Sequence, residues 1–256
     1  MKVSVTGASG FLGSAVIKKL QEYGLDVTGY SRTAANNFIT VNSYADIKSG
    51  DCLVHLAENS ARQAVNSLGK VLMEEAIETC RSLTSQKFSK VIYASSAAVY
   101  GNETQIPRSE KDPTYAIDYY TRTKLCCEEM VLTDPNNCVA RLSNLYGVGM
   151  TKTTVFSDIL RQLRTSKSVE LRNTSAICDF LWVDDAAEAI AKMVTSPDAK
   201  GCINLGSGAG VSILDLTKLM VSASNQLDNF LPLDRNILSR EPDSKMSYSL
   251  VLDVTK

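Results

Sequence analysis

Residues 2–13 of the chain read KVSVTGASGFLG, and this stretch decides the fold. KVSVT is a short apolar run that is typical of a buried strand, and residues 11–24 carry apolar side chains at helical spacing. Gly7, Gly10 and Gly13 lie where the first pattern passes into the second. The stretch therefore predicts a strand, a tight glycine turn and a helix in direct succession.

Short apolar runs and helical patterns alternate along the rest of the chain. Further strands are predicted at LDVTGY (25–30), CLVHLA (52–57), KVIYASS (90–96), CVARLS (138–143) and CINLGS (202–207). Helices are predicted at about 61–83, 118–132, 153–166, 184–195 and 212–223. Because apolar strands separated by helices favour a parallel sheet covered on both faces, we expect an α/β protein with a Rossmann-type, doubly wound parallel sheet.

The segment before CLVHLA is too short for a full helix and a long strand. We expect only a short strand at FITV (38–41), with an abbreviated or missing helix after it. No linker rich in Pro, Gly or Ser divides the chain. We expect residues 1–150 to form the Rossmann domain, with 176–205 returning to it, and residues 151–175 and 206–256 to form a small C-terminal substrate-binding lobe.

The composition argues against several classes of protein. With 27 Lys and Arg against 28 Asp and Glu, the chain lacks the basic field that nucleic-acid binding requires. No apolar run approaches the roughly 18 residues of a membrane helix, and the opening strand leaves no room for a signal peptide. The seven cysteines form no C-x-x-C pair and there is one histidine, so no metal site is expected. We therefore expect a cytoplasmic protein without nucleic-acid, membrane or metal partners.

The glycine turn predicts a dinucleotide site. Glycines allow a tight turn and a close approach of the backbone to a ligand, and the free N–H groups that open a helix attract a pyrophosphate. A glycine pattern alone is weak, but here it follows a strand and opens a helix. The residues expected to contact the cofactor in this turn are Gly7, Ser9, Gly10, Phe11, Leu12 and Gly13.

The end of the second predicted strand bears on the choice of dinucleotide. An acidic residue there bonds the ribose 2′-hydroxyl of NAD, whereas an arginine accommodates the 2′-phosphate of NADP. This chain has Ser31 and Arg32 in TGYSRT and no carboxylate. The pattern predicts NADP(H), with NAD as the other option. The alternative is that Arg32 merely lies over the adenine.

DYYTRTKLCCEE, residues 118–129, places Tyr120 and Lys124 one helical turn apart. Residues four apart on a helix lie side by side. A tyrosine has a pKa near ~10 and is a poor acid or base at neutral pH unless a nearby ammonium favours its ionised form. The pair can be a catalytic dyad, but the same spacing also occurs by chance in amphipathic helices.

Eight stretches of the chain match one protein family in family order. They are TGASGFLG (6–13), VHLAE (54–58), NSLGKVLMEEA (66–76), YASSAAVYG (93–101), YTRTK (120–124), RLSNLYGVG (141–149), DFLWVDDAAEA (179–189) and NLGSGAGVSILDL (204–216). On these motifs the chain resembles the extended short-chain dehydrogenase/reductases, the NAD(P)-dependent epimerase/dehydratase family of enzymes that modify sugar nucleotides.

The resemblance implies a catalytic triad of Ser96, Tyr120 and Lys124. Lys124 also holds the nicotinamide ribose in the family. Ser96 occupies the family position in SAAVYG, and Ser95 would lie on the opposite side of the strand, so both cannot face the site. Ser96 would donate a hydrogen bond to the substrate oxygen while Tyr120 passes the proton.

Other positions follow from the resemblance. Further cofactor contacts are expected from Leu56, Ala57, Leu142 and Ser143, and substrate contacts from Asn144 and Arg240 beside Ser96. His55 is expected to be a strand residue rather than a catalyst. Where relatives often have a phosphate-binding arginine before DF, this chain has Cys178; Arg172, Arg235 or Arg240 could compensate.

The combined expectation is an enzyme that reduces a keto group, at the 4-position, on a nucleotide-activated sugar with NADPH. One alternative is a nucleotide-sugar 4-epimerase with tightly bound NAD, which uses the same triad. A second is a non-catalytic NADP-binding regulatory protein. The helices predicted at 61–83 and 118–132 resemble those through which relatives pair, so we expect a homodimer.

Overall fold

The computed structural model describes residues 1–34, 37–47, 49–101, 106–165, 168–171, 173–225 and 250–253. Its α-helices are α1 (Phe11–Glu22), α2 (Arg62–Leu68), α3 (Lys70–Thr84), α4 (Tyr119–Val131), α5 (Val155–Thr165), α6 (Val183–Thr195) and α7 (Ile213–Asn225). Its strands are β1 (Lys2–Thr6), β2 (Asp26–Ser31), β3 (Ile39–Thr40), β4 (Cys52–His55), β5 (Lys90–Ser96), β6 (Cys138–Leu142), β7 (Asn144–Tyr146), β8 (Ser168–Leu171), β9 (Ile177–Trp182), β10 (Gly201–Leu205), β11 (Gly210–Ser212) and β12 (Leu250–Asp253).

The main sheet has seven strands in the order β10-β6-β5-β4-β1-β2-β3, and every neighbouring pair is parallel. This confirms the predicted Rossmann-type, doubly wound α/β fold. The direction in which strands are added reverses at β1, which lies between β2 and β4. Ligands of such sheets bind outside the carboxyl ends of the strands at this reversal. The turns after β1 and β4 therefore border the expected crevice.

Helices cover both faces of the sheet because its central strands are apolar on both sides. Val54 of β4 and Ile92 of β5 lie in a core with residues of α1 and α6. Their neighbours Leu53 and Tyr93 lie in a second core with residues of α3 and α4. All four side chains are fully buried. The alternation also sets which side chains at the strand ends meet α4.

A buried hydrogen-bond network joins α4 to β5 and β6. Arg141 donates from Nη2 to Glu128 Oε2 at 2.6 Å and from Nε to Glu128 Oε1 at 3.1 Å. Its Nη1 donates to the Tyr100 hydroxyl at 2.9 Å, which donates to Asn204 Oδ1 at 2.7 Å. Ser95 donates to the same Glu128 carboxylate. Because removing one partner of such a pair strands a buried charge at a cost of about 3–5 kcal/mol, this network ties α4 to one position on the sheet.

The helix predicted at 61–83 is interrupted, so the prediction of one continuous helix was wrong. α2 and α3 meet at Gly69, which has φ +59° and ψ −128°. Side chains rarely tolerate positive φ, and a Cβ at this position would also lie 3.3 Å from the Tyr119 ring. Apolar periodicity continues across the break, which is why the sequence pattern does not reveal it.

The short segment between β2 and β4 agrees with expectation. β3 has two residues, and a single 3-10 turn at Tyr44–Asp46 takes the place of a helix. Ser43 caps this turn by accepting from the Ala45 N–H at 3.1 Å. Tyr44 is buried in the core on the α3 side.

The chain divides into two compact units. The first comprises residues 1–147 and 181–207, and the second comprises residues 148–180 and 208–256. In the second unit β8 pairs with β12 and β11 pairs with β9, both antiparallel. Its buried core consists of Ile159, Val169, Leu171, Ile213, Leu216 and Met220. The assignment of cofactor binding to one part of the chain and substrate binding to the other stays a prediction.

None of the helices in the described ranges is both long and apolar enough to cross a membrane.

Candidate active site

The turn after β1 has no room for a side chain at two of its glycines. Gly7 has φ +70°, and a Cβ on it would lie 2.8 Å from the carbonyl oxygen of Leu56. A Cβ on Gly13 would lie 2.1 Å from the carbonyl oxygen of Gly7. The turn is therefore pressed against both the chain after β4 and the first turn of α1, and only glycine fits at these positions.

The N-terminus of α1 is open to an anion. Its N-cap, Gly10, has no side chain to bond the free N–H groups, and the first turn contains no acidic residue. Free N–H groups and the helix dipole favour a negative group at such an end. The turn, with Ser9, Phe11 and Leu12 in it, therefore fits the pyrophosphate of a dinucleotide.

Ser31 and Arg32, the two cofactor residues predicted at the end of β2, lie in different surroundings. Ser31 is buried, and its hydroxyl lies 2.7 Å from that of Ser9 and accepts from the Thr33 N–H at 3.1 Å. Arg32 is half exposed, pairs with Glu75 of α3 and lies 5.7 Å from the centre of the Tyr44 ring. Ser31 thus holds the glycine turn to β2, whereas Arg32 presents its charge at the surface.

Two adjacent serines end β5 and face different ways. Ser95 is buried in the network around Glu128. Ser96 is partly exposed and caps the 3-10 turn Ala97–Tyr100 by accepting from the Ala98 N–H at 3.2 Å. Ser95 donates its hydroxyl hydrogen to Glu128 of α4, whereas Ser96 accepts a bond and still has a hydroxyl hydrogen that it can donate.

A capping box fixes the start of α4 and with it Tyr120. Asp118 Oδ1 accepts from the Thr121 N–H at 2.8 Å, and Thr121 Oγ1 accepts in return from the Asp118 N–H at 3.1 Å. Asp118 Oδ2 accepts from Arg62 Nε at 2.7 Å and Asn66 Nδ2 at 2.9 Å. Asn66 Oδ1 accepts from the Tyr120 N–H at 3.0 Å. α2 therefore positions the first turn of α4.

Lys124 is held by the carboxylate of Glu58, which the sequence patterns did not predict. Its Nζ donates to Glu58 Oε2 at 2.7 Å and to the Ala94 carbonyl at 2.9 Å, and it lies 5.8 Å from the centre of the Tyr120 ring. Tyr93 donates its hydroxyl to Glu58 at 2.8 Å. The side chains of Lys124 and Glu58 are each 7% exposed. An acidic residue directly after a buried strand, as in VHLAE, was the signal that could have found Glu58.

Each member of the ion pair keeps the other charged. Burial alone would lower the pKa of Lys124, but the charge of Glu58 and its hydrogen bond, with Tyr120 nearby, raise that pKa above its ordinary value. Burial alone would raise the pKa of Glu58, but the Lys124 ammonium and the Tyr93 hydrogen bond bring it below its ordinary value. Both groups are therefore ionised at neutral pH.

His55 is a buried strand residue at the end of β4, as expected. Its Nδ1 lies 2.8 Å from Thr6 Oγ1. Its Nε2 is 3.9 Å from Glu58 Oε1 and, within the described structure, is a buried nitrogen without a hydrogen-bond partner. Burial lowers the pKa of His55 to about 4, so the ring is neutral near pH 7 and does not neutralise Glu58.

One pocket brings several predicted residues together. Four of them, Arg32, Ala57, Tyr120 and Lys124, line it with Glu58. The remaining lining residues come from the chain around α2, from α3 and from α4: Asn59, Val65, Leu72, Glu75, Ala76, Thr79 and Thr123. A tyrosine, an ammonium and an exposed guanidinium therefore share one cavity with Ala57, which packs against Gly7 of the glycine turn.

The other predicted residues lie elsewhere. Leu142 packs in a small apolar cluster with Leu12, and the Ser143 N–H donates to the Leu205 carbonyl at 2.9 Å. Asn144 is exposed in β7. Cys178 belongs to β9. Arg240 lies outside the described residues, as do Arg172 and Arg235, so their predicted substrate contacts stay predictions.

Comparison with known sequences gives one family. The model of the NAD dependent epimerase/dehydratase family matches residues 3–206. The GDP-6-deoxy-D-talose 4-dehydrogenase of Aggregatibacter actinomycetemcomitans is 25% identical over 244 residues, covering 88% of this chain and 80% of that protein.

Solved structures agree in fold. The UDP-N-acetylglucosamine 4-epimerase from Bacillus cereus superposes with a TM-score of 0.76 at 24% identity, covering 90% of this chain and 84% of the other. MoeE5, whose structure contains UDP-glucose and NAD, superposes with a TM-score of 0.75 at 23% identity, covering 90% of this chain and 83% of the other. At these sequence identities, the two superpositions show a shared fold and nothing more specific.

Replacing Asp118 by Ala removes the N-cap of α4 and its bonds to α2. We expect a loss of roughly 1–2 kcal/mol in the free energy of unfolding, measured by urea denaturation at neutral pH. Asp118→Asn is the control, because asparagine caps helices about as well and should lose less. An alanine variant as stable as the wild type would show that the cap is not what holds the start of α4.

The same cap predicts a pH dependence. Burial would raise the pKa of Asp118, but hydrogen bonds from Thr121, Arg62 and Asn66 hold it at about 2, against 3.8 for a free side chain. Because the folded pKa is depressed, the stabilisation by the charge is complete above 3.8 and is lost as the pH falls through about 2. The stability difference between wild type and Asp118→Asn should shrink over that range. A constant difference would contradict the assignment.

Proposed function

This chain belongs to the NAD dependent epimerase/dehydratase family, and from that premise and the site geometry we propose that it reduces a keto group on a nucleotide-activated sugar with NADPH. The observation that carries the proposal is the placement of Tyr120 and Lys124 in one pocket with Arg32 and Ala57. A proton donor, its activating charge and a candidate phosphate partner are thus close to the turn that fits a pyrophosphate.

The cofactor would be held by residues whose geometry fits it. No side chain caps the N–H groups that open α1 after the glycine turn, and Ala57 and Lys124 line the pocket. Leu142 ends β6, and Ser143 directly follows it. Bound there, a nicotinamide dinucleotide supplies or accepts the hydride. The protein's own contribution is to orient the substrate and to handle the proton.

Tyr120 is the proposed proton donor. The Lys124 ammonium, 5.8 Å from the centre of the Tyr120 ring, stabilises the phenolate that remains after the proton has left. Ser96 accepts from the Ala98 N–H and therefore has its own hydrogen to donate to the substrate oxygen. Positioned proton transfer of this kind typically contributes ~10²- to 10⁴-fold in rate.

Tyr120→Phe should lower the rate of NADPH oxidation by about 10²- to 10⁴-fold, with the protein folded and the cofactor still bound, because the proton donor is gone. The assay uses dTDP-, CDP-, GDP- and UDP-linked 4-keto sugars. Tyr119→Phe is the matched control, because Tyr119 precedes Tyr120 on α4 and is 40% exposed. Full NADPH-oxidising activity in Tyr120→Phe would refute the role of the tyrosine, whereas no NADPH oxidation by the folded wild type would favour the non-catalytic alternative.

A nucleotide-sugar 4-epimerase is the second candidate, because known relatives in structure include a UDP-N-acetylglucosamine 4-epimerase. An epimerase returns the hydride to the same sugar, so it shows no net use of NADPH and interconverts two sugar nucleotides. A reductase consumes one NADPH for each sugar reduced. Following both NADPH and the sugar products in one assay separates the two candidates.

The preference for NADP over NAD depends on Arg32. The end of β2 has no carboxylate to bond a ribose 2′-hydroxyl, which supports NADP. Glu75 opposes this preference, because its carboxylate pairs with Arg32 and competes with a 2′-phosphate. Both side chains are about half exposed, and ion pairs of that kind are weak enough to exchange partners.

Arg32→Ala should weaken NADP binding roughly 10- to 100-fold and leave NAD binding nearly unchanged, since a charge-assisted hydrogen bond contributes about 1.5–3 kcal/mol. Glu75→Gln should strengthen NADP binding, because Arg32 is then free. Dissociation constants measured by fluorescence titration check both. The proposed preference for NADP would be wrong if the wild type bound NAD and NADP equally well. It would also be wrong if Arg32→Ala left the ratio of the two dissociation constants unchanged.

We also propose that the protein is a cytoplasmic homodimer. Leu68 and Val71, where α2 meets α3, are 62% and 71% exposed, and Tyr119 and Ile117 at the start of α4 are 40% and 56% exposed. Exposed apolar side chains in one region are typical of an interface. Light scattering at micromolar concentration should give twice the chain mass, and Val71→Glu should halve it. A wild-type monomer would contradict the dimer.

A further inference from the structure

Glu58 belongs to the pocket but has no part in the proton transfer described above. Its carboxylate accepts from Lys124 at 2.7 Å and from Tyr93 at 2.8 Å, and its side chain is 7% exposed. We propose that Glu58 is a positioning residue: its carboxylate keeps the Lys124 ammonium charged and in place beside Tyr120. The inference rests on the function proposed above and assigns a further residue to it.

The stability of the fold does not by itself explain why Glu58 and Lys124 form a buried ion pair. Burying two charges costs several kcal/mol per ion, and apolar residues of similar size often replace such pairs without loss of stability. The second core, in which Tyr93 lies, is otherwise made largely of apolar side chains, including Leu53, Leu83 and Val91. A carboxylate in that setting is better explained by the lysine it serves than by the fold.

The hydrogen bonds leave Lys124 little freedom. An ammonium has three N–H donors, and two of them are used by Glu58 and the Ala94 carbonyl. Tyr93 in turn orients Glu58, because burial and the neighbouring carboxylate raise the pKa of Tyr93 well above its ordinary value and keep it a donor. The remaining N–H of Lys124 is the one available to a cofactor or substrate oxygen.

The charge of Lys124 also depends on Glu58. Burial is the largest influence on the pKa of Lys124 and lowers it, and the negative charge of Glu58 is the main influence that offsets burial. Without the carboxylate, the lysine would release its proton at lower pH. Other titratable groups face the pair from every element around it: His55 from β4, Tyr93 from β5, and Tyr120 and Cys127 from α4. Cys80 of α3 lies behind Tyr93. Arg32 and Glu75 line the same pocket but pair with each other.

The first experiment is a pH profile. Glu58→Gln keeps the shape of the side chain and an acceptor oxygen but removes the charge. The alkaline limb of NADPH oxidation with a 4-keto sugar nucleotide should move down by about one pH unit or more, because Lys124 loses its proton at lower pH. Tyr93→Phe, which keeps the charge, should move it less.

The matched control is Glu78→Gln. Glu78 is a carboxylate on α3 whose side chain is 69% exposed and pairs with Arg81. Its loss changes the net charge of the protein by the same amount and should leave the alkaline limb in place. An unchanged limb in a folded Glu58→Gln variant, or an equal shift in Glu78→Gln, would overturn the proposal.

A second experiment needs no substrate. In Glu58→Gln the folded pKa of Lys124 is expected to lie below its unfolded value, so the variant gains stability as the pH rises between the two. The urea midpoint of the variant should therefore approach that of the wild type as the pH rises toward the ordinary lysine pKa of ~10.4. The double variant Glu58→Gln/Lys124→Met has neither buried charge, and its stability should lack this rise with pH.

Together, the two experiments distinguish an error in the proposed function from an error in the role assigned to Glu58. If no keto sugar nucleotide is reduced but the stability deficit of Glu58→Gln shrinks with pH, the function is wrong and the assignment of Glu58 to Lys124 stands. If the deficit of Glu58→Gln is the same at every pH, Glu58 does not control the charge of Lys124, and the proposal is wrong whatever the activity.

Discussion

The absence of a side chain at Gly7 is the constraint on which the crevice depends. β1 lies between β2 and β4, and the turn that leaves it passes the chain leaving β4 so closely that a Cβ would lie 2.8 Å from the Leu56 carbonyl oxygen. That contact brings the glycine turn, Ala57 and Glu58 to one place. A larger residue at Gly7 would push the turn and the end of β4 apart, and the open N-terminus of α1 would move with it.

One face of α4 carries three buried polar side chains, and two of them line the candidate active site. Tyr120, Lys124 and Glu128 follow at intervals of four, and all are buried, with 8%, 6% and 3% of their surface exposed. Each charge has its own partner: Glu58 for Lys124 and Arg141 for Glu128. Two buried ion pairs on one helix are costly unless their geometry is good, so they restrict α4 to the position that presents Tyr120 to the pocket.

Much of the architecture was predictable because periodicity reports burial directly. The predicted strands and helices lie close to the observed ones, and the shortened segment before β4 followed from its length. The break at Gly69 did not, because a glycine at positive φ leaves the apolar pattern intact. Glu58 was missed for a different reason: its partners, Tyr93 and Lys124, are 35 and 66 residues away in sequence.

The amino-acid sequence determined the strand, turn and helix at the N-terminus and the spacing of Tyr120 and Lys124, since these depend on residues near one another in the chain. Its alternation of apolar strands and helices also indicated a parallel sheet, although the strand pairs themselves join distant segments. The tertiary structure decided what those residues meet. It tied Ser95 to Glu128 and left Ser96 with a free hydrogen, it paired Arg32 with Glu75, and it placed a buried carboxylate against Lys124. The physical reason is that the charge of a buried group depends on the neighbours that the fold brings to it, and those neighbours come from distant parts of the chain.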